Sequence, residues 1–227
     1  MKLITIDFET YYDKVIFSLS KMTTEEYVRD DRFEVIGVSV KVDNKETQWA
    51  SGSHEELKSW LQTFPWKDAM MVAHNCMFDG FILSEKFGIA PKVYADTLCM
   101  GRAIHGVEVG GSLAVLAERY KLGVKGDEVI AASGKRREDF TSEELSRYGD
   151  YCINDVELTH KLFYAMLGKG FPKQEMKLID LTLRMFIQPK LDLDLNLLSS
   201  FFVKLPSYAN TPSTGLSNNP SIDSHSS

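Results

Sequence analysis

Two carboxylates follow the first apolar run of the chain, in the opening stretch MKLITIDFET. Asp7 and Glu9 are two residues apart, and side chains with this spacing on a strand point to the same face. Two negative charges this close together disfavour each other's ionisation unless something positive lies between them. The pattern therefore predicts a cation beside the end of a buried strand over Leu3–Asp7.

Two later stretches also place an acidic residue where its charge is costly. HNCMFD ends at Asp79 just after a short apolar run, and YCIND ends at Asp155 within a long helical pattern. Tyr151 and Asp155 are four residues apart and so share one face of the helix. Tyr148 and Cys152 lie on that face as well, which is therefore predicted to face the core. A carboxylate there needs a partner, and no Arg or Lys sits one turn away to supply it.

Each stretch has an ordinary structural explanation when taken alone; Asp79, for example, suits the first turn of a helix. Together, four carboxylates are the oxygen ligands that hard divalent cations such as Mg²⁺ require. Two such ions about 4 Å apart clamp the attacking and leaving oxygens of a phosphodiester. They would also neutralise the repulsion between Asp7 and Glu9. The combination therefore indicates metal-dependent phosphodiester hydrolysis.

The elements that must position these residues are strands followed by alternating strands and helices. Capping-box patterns at Ser53/Glu56 and Thr141/Glu144 predict two helix starts. We predict strands over Leu3–Asp7, Phe33–Val42, Glu46–Ala50, Met70–Ala73 and Val93–Ala95, and helices from Ser53 to Phe64, Phe78 to Phe87, after Asp96, after Ser112, from Thr141 to Leu167 and from Lys173 to Ile187. This order predicts an α/β or α+β layer fold with a mixed sheet.

Composition sets the broad class of the chain. Its 227 residues carry a net charge of -6, enough length for one globular domain with a core. The apolar runs are too short to span a membrane, and the start lacks the features of a signal peptide. Three cysteines without a CxxC pair favour a reducing cytoplasm. The Ser-, Asn- and Pro-rich residues 206–227 are predicted to be a disordered tail.

The three acidic stretches, in this order, resemble the three motifs of the DEDD 3′–5′ exonuclease superfamily. The tyrosine of Y-x-x-x-D is typical of the DEDDy branch. Residues 96–98 (DTL) and 112–120 (SLAVLAERY) resemble elements between the second and third motifs, and residues 176–198 resemble the segment that joins such an exonuclease to its polymerase. Within the superfamily the chain is most similar to the proofreading domain of bacteriophage family A DNA polymerases. The resemblance implies a ribonuclease H-like fold, an α/β mixed sheet flanked by helices.

The resemblance also implies a catalytic role for five residues. Asp7, Glu9, Asp79 and Asp155 would bind two divalent cations, Mg²⁺ or Mn²⁺, with Asp7 bridging both. Tyr151 would orient the attacking water, since a phenol with an ordinary pKa of about 10 is neutral near pH 7 and suits positioning better than proton abstraction. The product would be a 5′-mononucleotide.

Four residues beside the acidic positions are candidates for substrate binding. Thr10 and Asn75 match positions that contact the terminal nucleotide in the family. Phe8 and Phe78 have two interpretations, stacking on a frayed base or packing in the core, and the second is the more common use of such residues.

The resemblance predicts an organisation and a setting for the chain. Residues 1–170 would be the exonuclease domain, residues 171–205 a helical linker to a polymerase domain that is missing here, and residues 206–227 the tail. The expected partners are single-stranded or frayed DNA 3′ ends, with a DNA polymerase chain or other replication proteins and no membrane. The expected location is the cytoplasm, that of the bacterial host for a phage protein.

Two other functions remain open from the sequence. One is an RNA-trimming 3′–5′ exonuclease, because the motifs do not report tolerance of a 2′-hydroxyl. The other is an inactive polymerase fragment that serves as a binding module. The complete set of four carboxylates and Tyr151 argues against the inactive fragment.

Overall fold

Five strands within residues 2–96 form one mixed sheet. The computed structural model describes residues 1–126, 132–189 and 194–204. The strands are β1 (Lys2–Thr10), β2 (Val35–Val42), β3 (Gln48–Ala50), β4 (Ala69–Ala73) and β5 (Val93–Asp96). Their order across the sheet is β3-β2-β1-β4-β5, antiparallel from β3 to β1 and parallel from β1 to β5. This arrangement confirms the predicted mixed sheet and the ribonuclease H-like class.

Strand β1 is longer than the sequence predicts. The prediction that it ends at Asp7 is wrong, because backbone pairing with β2 continues through Phe8↔Val38 and Glu9↔Gly37 to Thr10. The register shifts only between Glu9 and Thr10. Asp7 and Glu9 are therefore both part of the strand, and the pleat itself puts them on one face.

Seven helices flank the sheet within residues 1–189 of the described chain. They are α1 (Thr24–Arg29), α2 (His54–Leu61), α3 (Cys76–Phe87), α4 (Thr97–His105), α5 (Leu113–Arg119), α6 (Ser142–Gly168) and α7 (Lys173–Ile187). The capping boxes predicted at Ser53 and Thr141 are both formed. A third capping box, between Thr23 and Glu26, begins α1. The sequence analysis predicts neither this box nor this helix.

The core lies on both faces of the sheet. Ile4, Ile6 and Phe8 of β1 pack on one face with the apolar residues of α3. On the other face Val72 of β4 packs with Leu158 of α6 and its neighbours. Strand β1 is thus a central strand, buried between two helical layers, which is the usual way such a sheet covers both faces.

Helix α6 comes unusually close to the sheet beside β3. A Cβ atom on Gly149 would lie 2.7 Å from the Trp49 ring, and one on Gly37 would lie 2.2 Å from the same ring. Trp49 therefore fits against two backbone surfaces that only glycine leaves open. The close approach lets the following turns of α6 reach the polar face of β1.

The chain divides into two compact units, Met1–Pro189 and Lys190–Ser227. Helix α7, with the bounds that the sequence predicts, belongs to the first: Leu183 and Ile187 are buried in its core. The second unit contains α8 (Leu195–Lys204). The predicted tail, residues 206–227, lies outside the described residues. Among the described helices, none is both long and apolar enough to cross a membrane.

Candidate active site

Strand β1 presents two carboxylates to the same side of the sheet. Asp7 and Glu9 alternate with the core residues Ile6 and Phe8, which point to the opposite face. One carboxylate oxygen from each of Asp7 and Glu9, together with Cys152 Sγ of α6, lie within 4.8 Å of one another. The repulsion predicted from the D-x-E spacing is therefore present in the folded protein.

A third carboxylate reaches the same place from α3. Asp79 Oδ1 accepts a hydrogen bond of 3.0 Å from the backbone N–H of Phe8, the residue between Asp7 and Glu9. The preceding turn is held by Asp96, whose carboxylate accepts the backbone N–H groups of Asn75 and Cys76, both at 3.1 Å. Because β1, β4 and β5 are parallel, their carboxyl ends meet at one edge of the sheet, and α3 begins there.

Helix α6 completes the cluster from the other side. Its buried side chains recur every three or four residues, and Tyr148, Tyr151, Cys152 and Asp155 belong to the part of this face that meets the carboxyl end of β1. Tyr148 Oη donates to Glu9 Oε2 at 2.6 Å. Cys152 Sγ lies 3.5 Å from Asp7 Oδ2. The face of α6 predicted to meet the core therefore meets the acidic face of β1.

An aromatic stack braces this part of α6. The rings of Phe140 and Tyr148 are 5.4 Å apart and nearly parallel, and those of Tyr148 and Tyr151 are 6.2 Å apart and nearly parallel. Both tyrosines are buried. The stack limits the rotamers of Tyr151, so its ring is held on the same face of α6 as Cys152.

The carboxylates are strained electrostatically. Burial raises the pKa of Asp7 to about 6, against the opposing charge of Lys125. Burial and the charge of Asp7 raise the pKa of Glu9 to about 8. Burial, again with the charge of Asp7, raises the pKa of Asp79 well above its ordinary value. In each case burial is the largest cause of the shift, and for Glu9 and Asp79 the charge of Asp7 adds to it.

Lys125 provides part of that charge, and the sequence analysis missed it. Its ammonium group pairs with Asp155 Oδ2 and lies 4.7 Å from the centre of the Tyr151 ring. The other oxygen, Asp155 Oδ1, is buried and has no hydrogen-bond partner among the described residues. Lys125 lies 30 residues before Asp155 in a segment without periodic pattern, so no local signal connected the two.

The donor set fits hard divalent cations. Three carboxylates with raised pKa values and a fourth with an unpartnered buried oxygen offer the oxygen ligands that Mg²⁺ and Mn²⁺ prefer. A zinc site through Cys152 fits poorly. Burial and the neighbouring carboxylates raise the pKa of its thiol, whereas zinc binds the thiolate.

The residues proposed to bind substrate fall into two groups. Phe8, Thr10 and Phe78 line a cavity of about 460 Å³ that also includes Glu9 and Tyr148. Asn75 is placed differently: it occupies the N-cap position of α3 in the left-handed conformation, with φ of 70° and without a capping hydrogen bond from its side chain. Phe8 is also a core residue, stacked on Phe87, so both of its sequence-based interpretations remain compatible with its position.

The basic residues of the loop before α6 are engaged within the chain. Lys135 pairs with Glu144 at 2.7 Å, and Arg136 pairs with Glu34 at 2.8 Å. The Arg136 guanidinium also lies over the ring of Tyr11. These ion pairs and stacking explain the positive charge of the loop by local structure.

The sequence of residues 23–170 matches the family model described as 3′–5′ exonuclease, of the DNA polymerase A type. The chain belongs to this 3′–5′ exonuclease family. The matched range contains Asp79, Tyr151 and Asp155 and begins after Asp7 and Glu9. With the fold, it places the protein in the DEDD exonuclease superfamily, whose members use divalent metals.

Solved structures with the same fold include several ribonucleases. RNase D of Trypanosoma brucei, solved in complex with RNA U12, is 15% identical with a TM-score of 0.64, over 84% of this chain and 65% of that chain. NrnC of Brucella melitensis is 12% identical with a TM-score of 0.58, over 92% and 91%. Further structures show NrnC with Mg²⁺ and with pGG. No curated protein sequence gave a significant match.

Proposed function

We propose that this exonuclease hydrolyses the terminal phosphodiester of DNA 3′ ends with two divalent cations, Mg²⁺ or Mn²⁺, and releases 5′-mononucleotides. The observation that carries the proposal is the grouping of four acidic residues: Asp7 and Glu9 lie together, Asp79 accepts a hydrogen bond from the backbone between them, and Asp155 pairs with Lys125, whose charge acts on Asp7. The first three carboxylates are buried at this place, where divalent cations would favour their ionised form, and Glu9 borders a cavity open to a nucleotide.

The four carboxylates hold the cations in this proposal. When bound, the cations supply Lewis-acid stabilisation of the phosphodiester and lower the pKa of a bound water. Tyr148 fixes the rotamer of Glu9 through its hydrogen bond, and the aromatic stack holds Tyr151, which orients the attacking water. Burial of all these groups strengthens their electrostatic effect on the substrate.

The terminal nucleotide occupies the cavity beside Glu9. Phe78 is half-buried on its wall, so one face of its ring is available for a base. Thr10 and Phe8 lie along the same wall, and Asn75 stands at the turn that leads to Asp79. A nucleotide that lies here has its 3′-terminal phosphodiester next to the carboxylates.

The setting that we propose is proofreading in phage-like DNA replication. Residues 1–170 act as the exonuclease, residues 171–205 as the segment toward a polymerase, and residues 206–227 as a tail. Leu178, Leu181 and Met185 of α7 are exposed and spaced three to four residues apart, as expected for a helix that packs on a further domain.

Trimming of RNA is the second candidate. The observation that favours it is the presence of RNase D and NrnC among the solved structures with this fold, one of them in complex with RNA U12. Both candidates use the same carboxylates, so they differ in the sugar that the cavity accepts.

The test is the release of nucleotides from 5′-labelled single strands of DNA and RNA of one sequence, with Mg²⁺ and with EDTA. Asp155→Asn is compared with Asp150→Asn, a change at an exposed carboxylate on the same helix. Stepwise shortening of DNA, lost with EDTA and with D155N but kept with D150N, supports the proposal. Faster shortening of RNA favours the second candidate. A folded protein that shortens neither strand supports the inactive module.

A further inference from the structure

Lys125 places a positive charge inside the carboxylate cluster. It lies in the segment after α5, and its ammonium group pairs with Asp155 Oδ2. The same group lies 4.7 Å from the centre of the Tyr151 ring. Only about a quarter of the side chain is exposed, 26%. The lysine therefore reaches into the site and is not a surface charge that happens to lie nearby.

The backbone next to Lys125 is attached to the helix that carries Asp155. Asn154 Nδ2 donates a hydrogen bond of 3.0 Å to the carbonyl oxygen of Val124. Neighbours in sequence thus make neighbouring contacts: Asn154 holds Val124, and Asp155 pairs with Lys125. These two adjacent contacts hold the backbone at Val124 and the ammonium group of Lys125 against α6.

The two carboxylate oxygens of Asp155 have different surroundings. Oδ2 is neutralised by Lys125, whereas Oδ1 is buried and has no partner among the described residues. The ammonium group of Lys125 thus pairs with one oxygen of this carboxylate. The other oxygen still lacks the hydrogen bond that a buried carboxylate oxygen requires. A divalent ion that takes Asp155 as a ligand must share that carboxylate with the ammonium group or displace it.

We propose that Lys125 is a tethered cation that neutralises the site when no metal is bound and competes with divalent ions for Asp155. The inference rests on the proposed metal-dependent function and goes beyond it by assigning Lys125 a role in metal loading. Lysine suits this role because its charge is compact and lies on a flexible stem, so it can leave by side-chain rotation alone. Competition of this kind lowers the apparent metal affinity of the whole site.

The first test measures the affinity for Mn²⁺ by titration calorimetry in the wild type, Lys125→Met, Lys125→Arg and Lys161→Met. Lys161 is exposed on α6, so its loss makes the same change in net charge outside the site. We expect K125M to bind Mn²⁺ at least about tenfold more tightly, about 1.4 kcal/mol. K125R keeps the charge and stays closer to the wild type, and K161M equals the wild type.

The second test is thermal unfolding of the same four proteins with EDTA and with saturating Mn²⁺. Without metal, K125M has a lower Tm than the wild type, because the carboxylates lose their neutralising charge. With Mn²⁺ the difference disappears, since the ion takes over that task. A lysine with a merely structural role would lower Tm equally in both conditions.

The outcomes separate this inference from the proposed function. If the wild type binds Mn²⁺ and shortens nucleic acid but K125M binds Mn²⁺ with unchanged or weaker affinity, the competition is refuted and the exonuclease stands. An equal loss of Tm with and without Mn²⁺ refutes it as well. If the folded wild type binds no Mn²⁺, both the inference and the proposed function fail.

Discussion

The contact between β1 and α6 has two ends, and they differ in whether the buried polar groups have partners within the chain. Thr5, Asp7 and Glu9 lie on one face of β1, and each meets a residue of α6. At the Thr5 end, Thr5 Oγ1 is 3.0 Å from His160 Nδ1, and Lys41 pairs with Glu157 at 2.7 Å. There the chain satisfies its own polar groups.

At the Glu9 end the chain does not balance its charges. Asp7 repels both Glu9 and Asp79, and one oxygen of Asp155 has no partner among the described residues. The difference suggests how a candidate functional site can be told from a structural polar contact. Both ends are buried, but of the two ends only the Glu9 end leaves a charge deficit that a ligand from outside would fill.

The largest effect that we expect comes from a matched pair of Glu→Gln changes, one at each end. Glu9→Gln lowers the exonuclease rate at least about a hundredfold, the scale seen on losing one preorganised electrostatic group. Glu157→Gln leaves the rate unchanged but lowers the free energy of unfolding by about 1–3 kcal/mol, because Lys41 stays buried without its charged partner. Nucleotide release and urea unfolding measure the two effects.

Equal losses of exonuclease rate in E9Q and E157Q would contradict the assignment of Glu9 to the reaction and of Glu157 to stability. A lower stability of E9Q in EDTA at pH 8 would also contradict it, since the glutamine removes a repelling charge there.

The next effect concerns the Tyr148 hydroxyl, which acts on the site by orienting Glu9. Tyr148→Phe removes the hydrogen bond to Glu9 Oε2, and we expect a loss of ten- to a hundredfold in rate or in metal affinity, as for other groups that orient metal ligands. The control is Thr5→Val, which breaks the contact with His160 at the other end. Measured turnover should be unchanged in T5V; a comparable loss would mean that the whole contact between β1 and α6 controls the rate.

A smaller effect should appear in the pH dependence of stability without metal. The pKa values of Asp7 and Glu9 are raised to about 6 and about 8, so between about pH 4 and pH 8 the folded state holds protons that the unfolded chain has lost. Stability in EDTA therefore falls as the pH rises through this window. Saturating Mg²⁺ binds the ionised carboxylates and flattens the curve. Tm measured against pH with and without Mg²⁺ checks this; two parallel curves would speak against a metal at these carboxylates.

The smallest effect has the opposite sign and comes from the other end. Burial lowers the pKa of His160, so the unfolded state takes up a proton more readily than the folded state. The stability from the neutral ring is present above the unfolded pKa of about 6.5 and is lost as the pH falls below it. With Mg²⁺ saturating, the wild type should lose Tm from pH 7 to pH 5, and His160→Gln should lose less. An unchanged slope in H160Q would assign the loss to other groups.

Local signals predicted most of the fold. Ser53 with Glu56 and Thr141 with Glu144 placed the starts of α2 and α6, because a capping box depends on residues only three apart. Thr23 with Glu26 carries the same signal for α1. The end of β1 was misplaced because it is set by pairing with β2, a partner some 30 residues away that local sequence does not report.

The candidate site was predictable where its residues share an element and not where they depend on a loop. The spacing of Asp7 and Glu9 on a strand, and of Tyr151 and Asp155 on a helix, brought them to common faces that the structure confirms. Lys125 shares no element with the residues that it contacts, so nothing in its neighbourhood predicted its position.

The distance along the chain between β1 and α6 also has a consequence for biosynthesis. Asp7, Glu9 and Asp79 leave the ribosome first, whereas Asp155 follows 76 residues after Asp79. At about 5–20 residues per second, that interval lasts roughly 4–15 s. During it the nascent chain has an incomplete set of these carboxylates and no Tyr151, so under the proposed mechanism the exonuclease becomes active only when nearly all of its domain has been made.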